Sequence, residues 1–264
     1  DPCNGASQPD DFDGSLINGY KVSDLNDPDD DDDGVNDSLD KFAWDASNGL
    51  NNSQPIDYPF LNGDPGFGFF GLGFTGLLPN GSEDYLELIR NEDNSTTENI
   101  AGGAVGLLTF NGVPTGTARG AANDQLNGFQ FGLAVDATTP AFTIEVGVLG
   151  PVFTSLPTGG QAVGFYVGNG DQDNYLSIAV NAGAGSPVVK VLREDTGISV
   201  GEDFSAPGLT QASEISLLLL LDPANGSVQP AYALNGGDPI MLGVPLSLSG
   251  ATLGALPTST KPWR

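Results

Sequence analysis

The chemistry-bearing side chains of this sequence are carboxylates, and they concentrate in residues 27–40, DPDDDDDGVNDSLD. Asp29 to Asp33 are consecutive and repel one another at neutral pH. The run is therefore either a solvated acidic linker or the ligand set of a cation. Spacing separates the two. Calcium takes roughly six to eight oxygen ligands, which a short loop supplies from alternate residues around a glycine turn. Counted from Asp29, the first, third, fifth, ninth and twelfth positions are Asp29, Asp31, Asp33, Asp37 and Asp40. The sixth is Gly34, and Val35 offers a backbone carbonyl at the seventh. Gly34, Asp37 and Asp40 lie outside the run, so their agreement does not come from its composition. We expect Ca2+ on Asp29, Asp31, Asp33, the Val35 carbonyl, Asp37 and Asp40. Asp30 and Asp32 either point outward or serve a second ion. Aspartate in place of glutamate at the twelfth position weakens bidentate closure.

Two further stretches carry oxygen ligands. PDDFDG at 9–14 is a half-loop, where Asp11 and Asp13 precede Gly14 and could share a second metal with Asp24 or Asp27. GNGDQDN at 168–174 places Asp171, Asp173 and Asn174 on a strand-to-strand turn. That turn is either a ligand or metal loop, or a Gly/Asn/Asp turn selected only for its tolerance of positive φ. Tyr166, Tyr175 and Tyr232 are either stacking platforms for a sugar ring or packing residues. Trp44 is expected to pin the acidic segment to the rest of the protein.

Catalytic constellations are sparse. With no histidine, Ser-His-Asp and Cys-His arrangements and most zinc sites are excluded. Glu145 and Glu214 stand singly, with no second acid at the E-x-D-x-x-E spacing of a paired-carboxylate strand. Glycine pairs occur in strand turns and not in strand-to-helix phosphate loops. The expectation is a protein without enzyme activity.

The elements that must position these residues are strands. The chain has 264 residues, with 38 glycines and 19 prolines, a turn-rich composition that points to many short strands joined by loops. Residues 1–54 are polar and lack periodic hydrophobicity, and without a ligand bury too little apolar surface to order themselves. From Pro55 the character changes. GFGFFGLGFTGLL (66–78) and AVGLLTF (104–110) are strand-like, and 80–99 reads as a short helix or loop. FQFGLAVD (129–136), FTIEVGVLG (142–150), AVGFYVGN (162–169), YLSIAVNA (175–182), VVKVLRE (188–194), ISLLLLLD (215–222) and QPAYALNG (229–236) are rich in β-branched or aromatic residues bounded by turn formers. Regular spacing without intervening helices predicts an all-β, antiparallel β-sandwich.

Thirty-four acidic residues against 8 basic ones give a formal net charge of −26. Such a field disfavours nucleic acid and anionic membrane surfaces and favours divalent cations. No apolar run approaches the roughly 18–20 residues of a membrane helix. Cys3 is the single cysteine, so metal in place of an internal disulfide is the expected staple. The first residue, Asp1, reads as the start of a processed product or fragment. Sequons at Asn36, Asn51, Asn80, Asn94 and Asn225 are compatible with export.

Two resemblances sharpen these expectations. Residues 29–40, followed by DKFAWD (40–45), resemble a thrombospondin type 3 calcium repeat, with Ala43 where proline is common and without that repeat's cysteine. GFYVGNGDQDNYLSIAV, VVKVLRE and ISLLLLLDPANGSVQPAYALNGG resemble the concanavalin A-like lectin/glucanase superfamily, and more narrowly the laminin G-like modules of secreted microbial proteins. The second resemblance covers about 130–250 well and 55–130 loosely, and rests on strand order. It implies a jelly-roll sandwich over 55–264, lacking a final strand, that places metal or sugar contacts in loops such as 168–174. The expected function is a secreted or cell-surface, calcium-stabilised binding or adhesion module whose partner is a glycan or another surface protein. The alternative is a structural subunit of a surface layer or extracellular filament that self-assembles by strand exchange.

Overall fold

The run of leucines in EISLLLLLD explains the architecture. A half-buried strand alternates apolar and polar residues, whereas a strand covered on both faces reads as one apolar run. In the computed structural model of the chain, which describes residues 113, 115–125, 128–130, 135, 138–153, 160–183 and 186–247, Gly34, and the backbone of a few short ladders, this strand is buried on both sides. Ile215, Leu217, Leu219 and Leu221 face the main core, while Leu218 packs with Ala231 and Ala233 on the other face.

Fifteen strands are assigned among the described residues. The short ladders join β1 (Leu16–Ile17) to β2 (Tyr20–Lys21), β3 (Gly76–Leu77) to β6 (Phe129–Gln130), and β4 (Ile100–Gly102) to β5 (Leu108–Phe110). The long strands are β7 (Phe142–Leu149), β8 (Ala162–Gly168), β9 (Asn174–Asn181), β10 (Val188–Asp195), β11 (Ile198–Ser205), β12 (Glu214–Asp222) and β13 (Ser227–Leu234). Two short edge strands, β14 (Ile240–Met241) and β15 (Leu246–Ser247), follow. All the pairings are antiparallel. Helix among the described residues is limited to the 3₁₀ turns Gly120–Ala122 and Leu209–Gln211. The chain is thus all-β and antiparallel across the described region, as its composition predicts.

The strands form two principal sheets, β11-β10-β9-β8 and β14-β13-β12-β7, with β15 also pairing β13. Their facing sides share one core: Leu176, Ile178, Val180, Val189 and Val191 from the first, with Val148, Ile215, Leu217, Leu219, Leu221, Val228 and Tyr232 from the second. Burying each such side chain stabilises the fold by about 1.5–3 kcal/mol relative to leaving it exposed. Turn chemistry fixes the register. β10 and β11 are joined by Thr196 and Gly197, both left-handed (φ 52° and 75°), the twist-matched two-residue hairpin that favours glycine.

Pro230 sits inside β13 at the side facing the irregular edge formed by β14 and β15. Its carbonyl accepts from Leu242 N–H (2.9 Å), but it has no N–H to return to the Leu242 carbonyl. The Gln229 side chain makes that bond instead, Nε2 to Leu242 O at 3.0 Å.

Strand expectations from 142 onward agree with β7–β10, β12 and β13 within about two residues. Strands β1, β2, β11, β14 and β15 were not expected. β11, ISVGEDFS, carries two acids and a glycine and hides its strand pattern. β14 and β15 are only two residues each. The β1–β2 ladder lies within the acidic first 54 residues. The expected helix or loop at 80–99 and most of 66–78 fall outside the described residues.

Candidate functional site

The loop after β8 is the one of the sequence-predicted ligand loops whose side chains are described, and it is tied to two other segments. Asp171 is its hub. Its Oδ1 accepts from Asp173 N–H (2.9 Å) and Asn174 Nδ2 (3.1 Å), and its Oδ2 from Asn169 Nδ2 (2.9 Å) and Asn174 Nδ2 (3.1 Å). Asp171 N–H donates in turn to Asn169 Oδ1 at 3.1 Å. Asn and Asp side chains closing such local rings are the reason these residue types populate turns. Gly170 supplies the left-handed backbone (φ 89°).

From this hub the loop reaches outward. Buried Asn174 accepts the N–H of Thr196 at 3.0 Å, and the Asp173 carbonyl accepts the N–H of Gly197 at 3.2 Å, which fixes the β10–β11 turn. On its other side the loop grips residues 117–125. Gln172, 1% exposed, behaves like a strand residue: its Oε1 accepts Gln125 N–H (3.1 Å) and its Nε2 donates to Gln125 O (3.0 Å). Asn123 Nδ2 donates to Asp173 Oδ1 at 2.8 Å. The buried Asn123 Oδ1 has no hydrogen-bond partner.

Residues 117–125 cover the outer face of the first sheet, where Ala118 packs on Tyr175 and Leu192, with Tyr166 against them. Beneath the same segment lies Glu194, fully buried, whose Oε1 accepts Gly120 N–H at 2.7 Å. Burial raises its pKa above the ordinary 4.5, and the Asp173 carboxylate adds to the rise, while the Gly120 N–H and Arg119 oppose it. Because the folded pKa is raised, the folded state binds the proton more tightly than the unfolded chain. This contribution to stability is greatest at low pH and declines as pH rises from the ordinary value through the folded one. Glu194→Gln keeps the acceptor for Gly120 and removes the buried charge. It is expected to raise the melting temperature at neutral pH, and to lose this advantage as the pH falls toward and below the ordinary carboxylate value. Thermal melts of both proteins from pH 4 to 8 check this, and a lower melting temperature in the variant would contradict it.

The three tyrosines do not form one platform. Tyr166 and Tyr175 meet edge to face, with centroids 6.1 Å apart and planes at 70°, on the outer side of the first sheet. Tyr175 is buried, and Tyr166 donates its hydroxyl to Gln130 Oε1 at 2.6 Å. Tyr232 is buried in the core between the sheets. Neither Tyr175 nor Tyr232 presents a ring face to solvent, so their placement is that of packing residues.

Of the expected calcium loop, Asp29, Asp31, Asp33, Val35, Asp37 and Asp40 lie outside the described residues, as do Asp11, Asp13, Asp24, Asp27 and Trp44. Gly34 is described. It is exposed and left-handed at φ 91°, the backbone that the sixth position of such a loop asks of glycine. Among the described residues no three acidic, cysteine or histidine side chains gather to hold a metal. Asp171, Asp173 and Asn174 come together, but all three side chains are already engaged: Asp171 within the loop, Asp173 by Asn123 and Asn174 by Thr196 of the neighbouring segments.

Sequence reasoning missed Gln172, Gln125, Asn123 and Glu194. Only Gln172 carried a signal, as the one long side chain inside GNGDQDN. No helix among the described residues is long and apolar enough to cross a membrane. No protein-family model, curated protein or solved structure matches the chain.

Proposed function

We propose that this chain is a non-catalytic, calcium-stabilised binding or adhesion module of the extracellular space, with a glycan as its ligand. The observation that carries the calcium half is the alternation of Asp29, Asp31, Asp33, Asp37 and Asp40 around Gly34, joined to the left-handed backbone of Gly34 itself. In this reading these carboxylates and the Val35 carbonyl hold Ca2+. The ion neutralises charge that otherwise opposes compaction and couples the acidic segment to folding. Asp11, Asp13, Asp24 and Asp27 are candidates for a second ion.

Two antiparallel sheets with a common core support a concanavalin A- or laminin G-like jelly-roll sandwich. The glycan half draws on the loop at 168–174. Its groups are held by one another and by two neighbouring segments, so little side-chain freedom is lost on binding a polar ligand. A glycan array probed in millimolar calcium tests this half. Binding to one glycan family, weakened by Asp173→Ala, is expected, and silence across the array would overturn it.

The second reading, a self-assembling structural subunit, is favoured by one observation: among the described residues β11 pairs β10 along one side only, a strand edge able to accept another chain. A species that stays monomeric in sizing experiments at all concentrations would contradict it.

A further inference from the structure

The inner face of the first sheet loses its cover at β11. Ile198, Val200, Glu202 and Phe204 are the register partners of Asp195, Arg193, Val191 and Val189, and so share a face with the core residues Val189 and Val191. Yet Ile198 and Val200 are 70% and 71% exposed. The opposite wall comes from the β14–β15 region, where Val244 is 75% exposed. Between the walls lies a groove of about 690 Å³, which Leu246 also lines. Apolar side chains on a core-facing surface, beside a strand edge that no described residue pairs, mark a place for an extended segment.

Charge narrows the choice of occupant. Of the charged groups in the groove, Arg193 is paired with Asp195 at 3.0 Å, and Glu202 leaves the wall acidic. The chain as a whole stands at −26. Residues 248–264, LSGATLGALPTSTKPWR, contain none of its 34 acids and carry Lys261 and Arg264, with Leu248, Leu253 and Leu256 as apolar anchors. They follow directly on Ser247 of β15, whose neighbour Leu246 is part of the groove wall. Pairing along the eight residues of β11 takes about 26 Å of extended chain, which roughly half of this segment spans. Tethering also gives it an effective concentration on the order of millimolar, ahead of any free partner.

We propose that residues 248–264 dock in this groove within the same molecule and add as an extended strand to the free edge of β11. The segment is then the cap that keeps the edge from pairing with other chains, and assembly by strand exchange requires its release. This proposal stands independently of calcium or glycan binding.

Peptide-resolved hydrogen–deuterium exchange on the full chain tests it. Amides in 248–258 are expected to exchange at least about tenfold more slowly than in a synthetic peptide of residues 248–264. Val200→Glu is expected to return them to the peptide's rate while β9 and β10 keep their protection. Should Val200→Glu disturb the sheet, the double change Leu253→Asp with Leu256→Asp alters the segment alone and is expected to release it. Peptide-like exchange in the unaltered chain overturns the proposal. So does protection that survives Leu253→Asp with Leu256→Asp. Protection that disappears on dilution through the micromolar range also overturns it, because the donor is then a second copy.

Discussion

Leu217→Ala is expected to destabilise the protein by about 3 kcal/mol and to lower its melting temperature by roughly 6–12 °C, a large effect for one substitution. Leu217 is fully buried on the core face of β12, between Val146 of β7 and Tyr232 of β13. Across from it stand the core residues of the other sheet. A cavity there is walled by backbone ladders on both sides, so the site relaxes little and most of the lost packing is felt. Leu217→Met fills the volume and is expected to cost under about 1.5 kcal/mol. Leu218→Ala, on the opposite face among Ala231 and Ala233, is expected to cost less than Leu217→Ala because its surroundings are thinner. Urea unfolding of the three variants checks the order. If Leu217→Ala costs no more than Leu218→Ala, the two sheets do not share the core described here.

The second large effect concerns the acidic run. Asp31→Asn with Asp33→Asn keeps size and polarity but removes two of the proposed charged calcium ligands, and is expected to weaken calcium binding on the order of a hundredfold. Asp30→Asn with Asp32→Asn removes the same charge from the alternate positions. If those side chains only surround the ion at a distance, water and salt screen them and the loss is expected to be a few fold. Titration calorimetry on the two variants at equal ionic strength separates a ligand set from a diffuse acidic field. Equal losses in both would show that only net charge matters.

The all-β class and most of the long strands were legible because their signal is local: β-branched and aromatic runs closed by Gly, Pro, Asn or Asp. β11 was not, because Glu202 and Asp203 occupy what reads as a loop, and its strand state depends on the register with β10. The turn at 168–174 was legible as a cluster of oxygens, but its use was not. Whether Asp171 faces a cation or three neighbouring donors depends on Asn169 and Asn174 closing around it, which composition cannot reveal. Gln172 and Glu194 illustrate the same limit. A glutamine in a polar loop and a glutamate ending a strand both look solvent-facing, and both are buried because residues 117–125 fold back over them. For the tyrosines the sequence left stacking and packing both open; Tyr232 is buried between the sheets, and Tyr175 is buried on the outer face against Ala118 and Leu192.

The central claim is that calcium, held by the alternating aspartates around Gly34, stabilises this strongly acidic chain. Scanning calorimetry in millimolar calcium and after chelation, at constant ionic strength, tests it most directly. With calcium at about a hundred times its dissociation constant, binding to the folded state contributes about 2.7 kcal/mol, and chelation is expected to lower the transition by roughly 5–10 °C. A transition that does not move on chelation would contradict the claim.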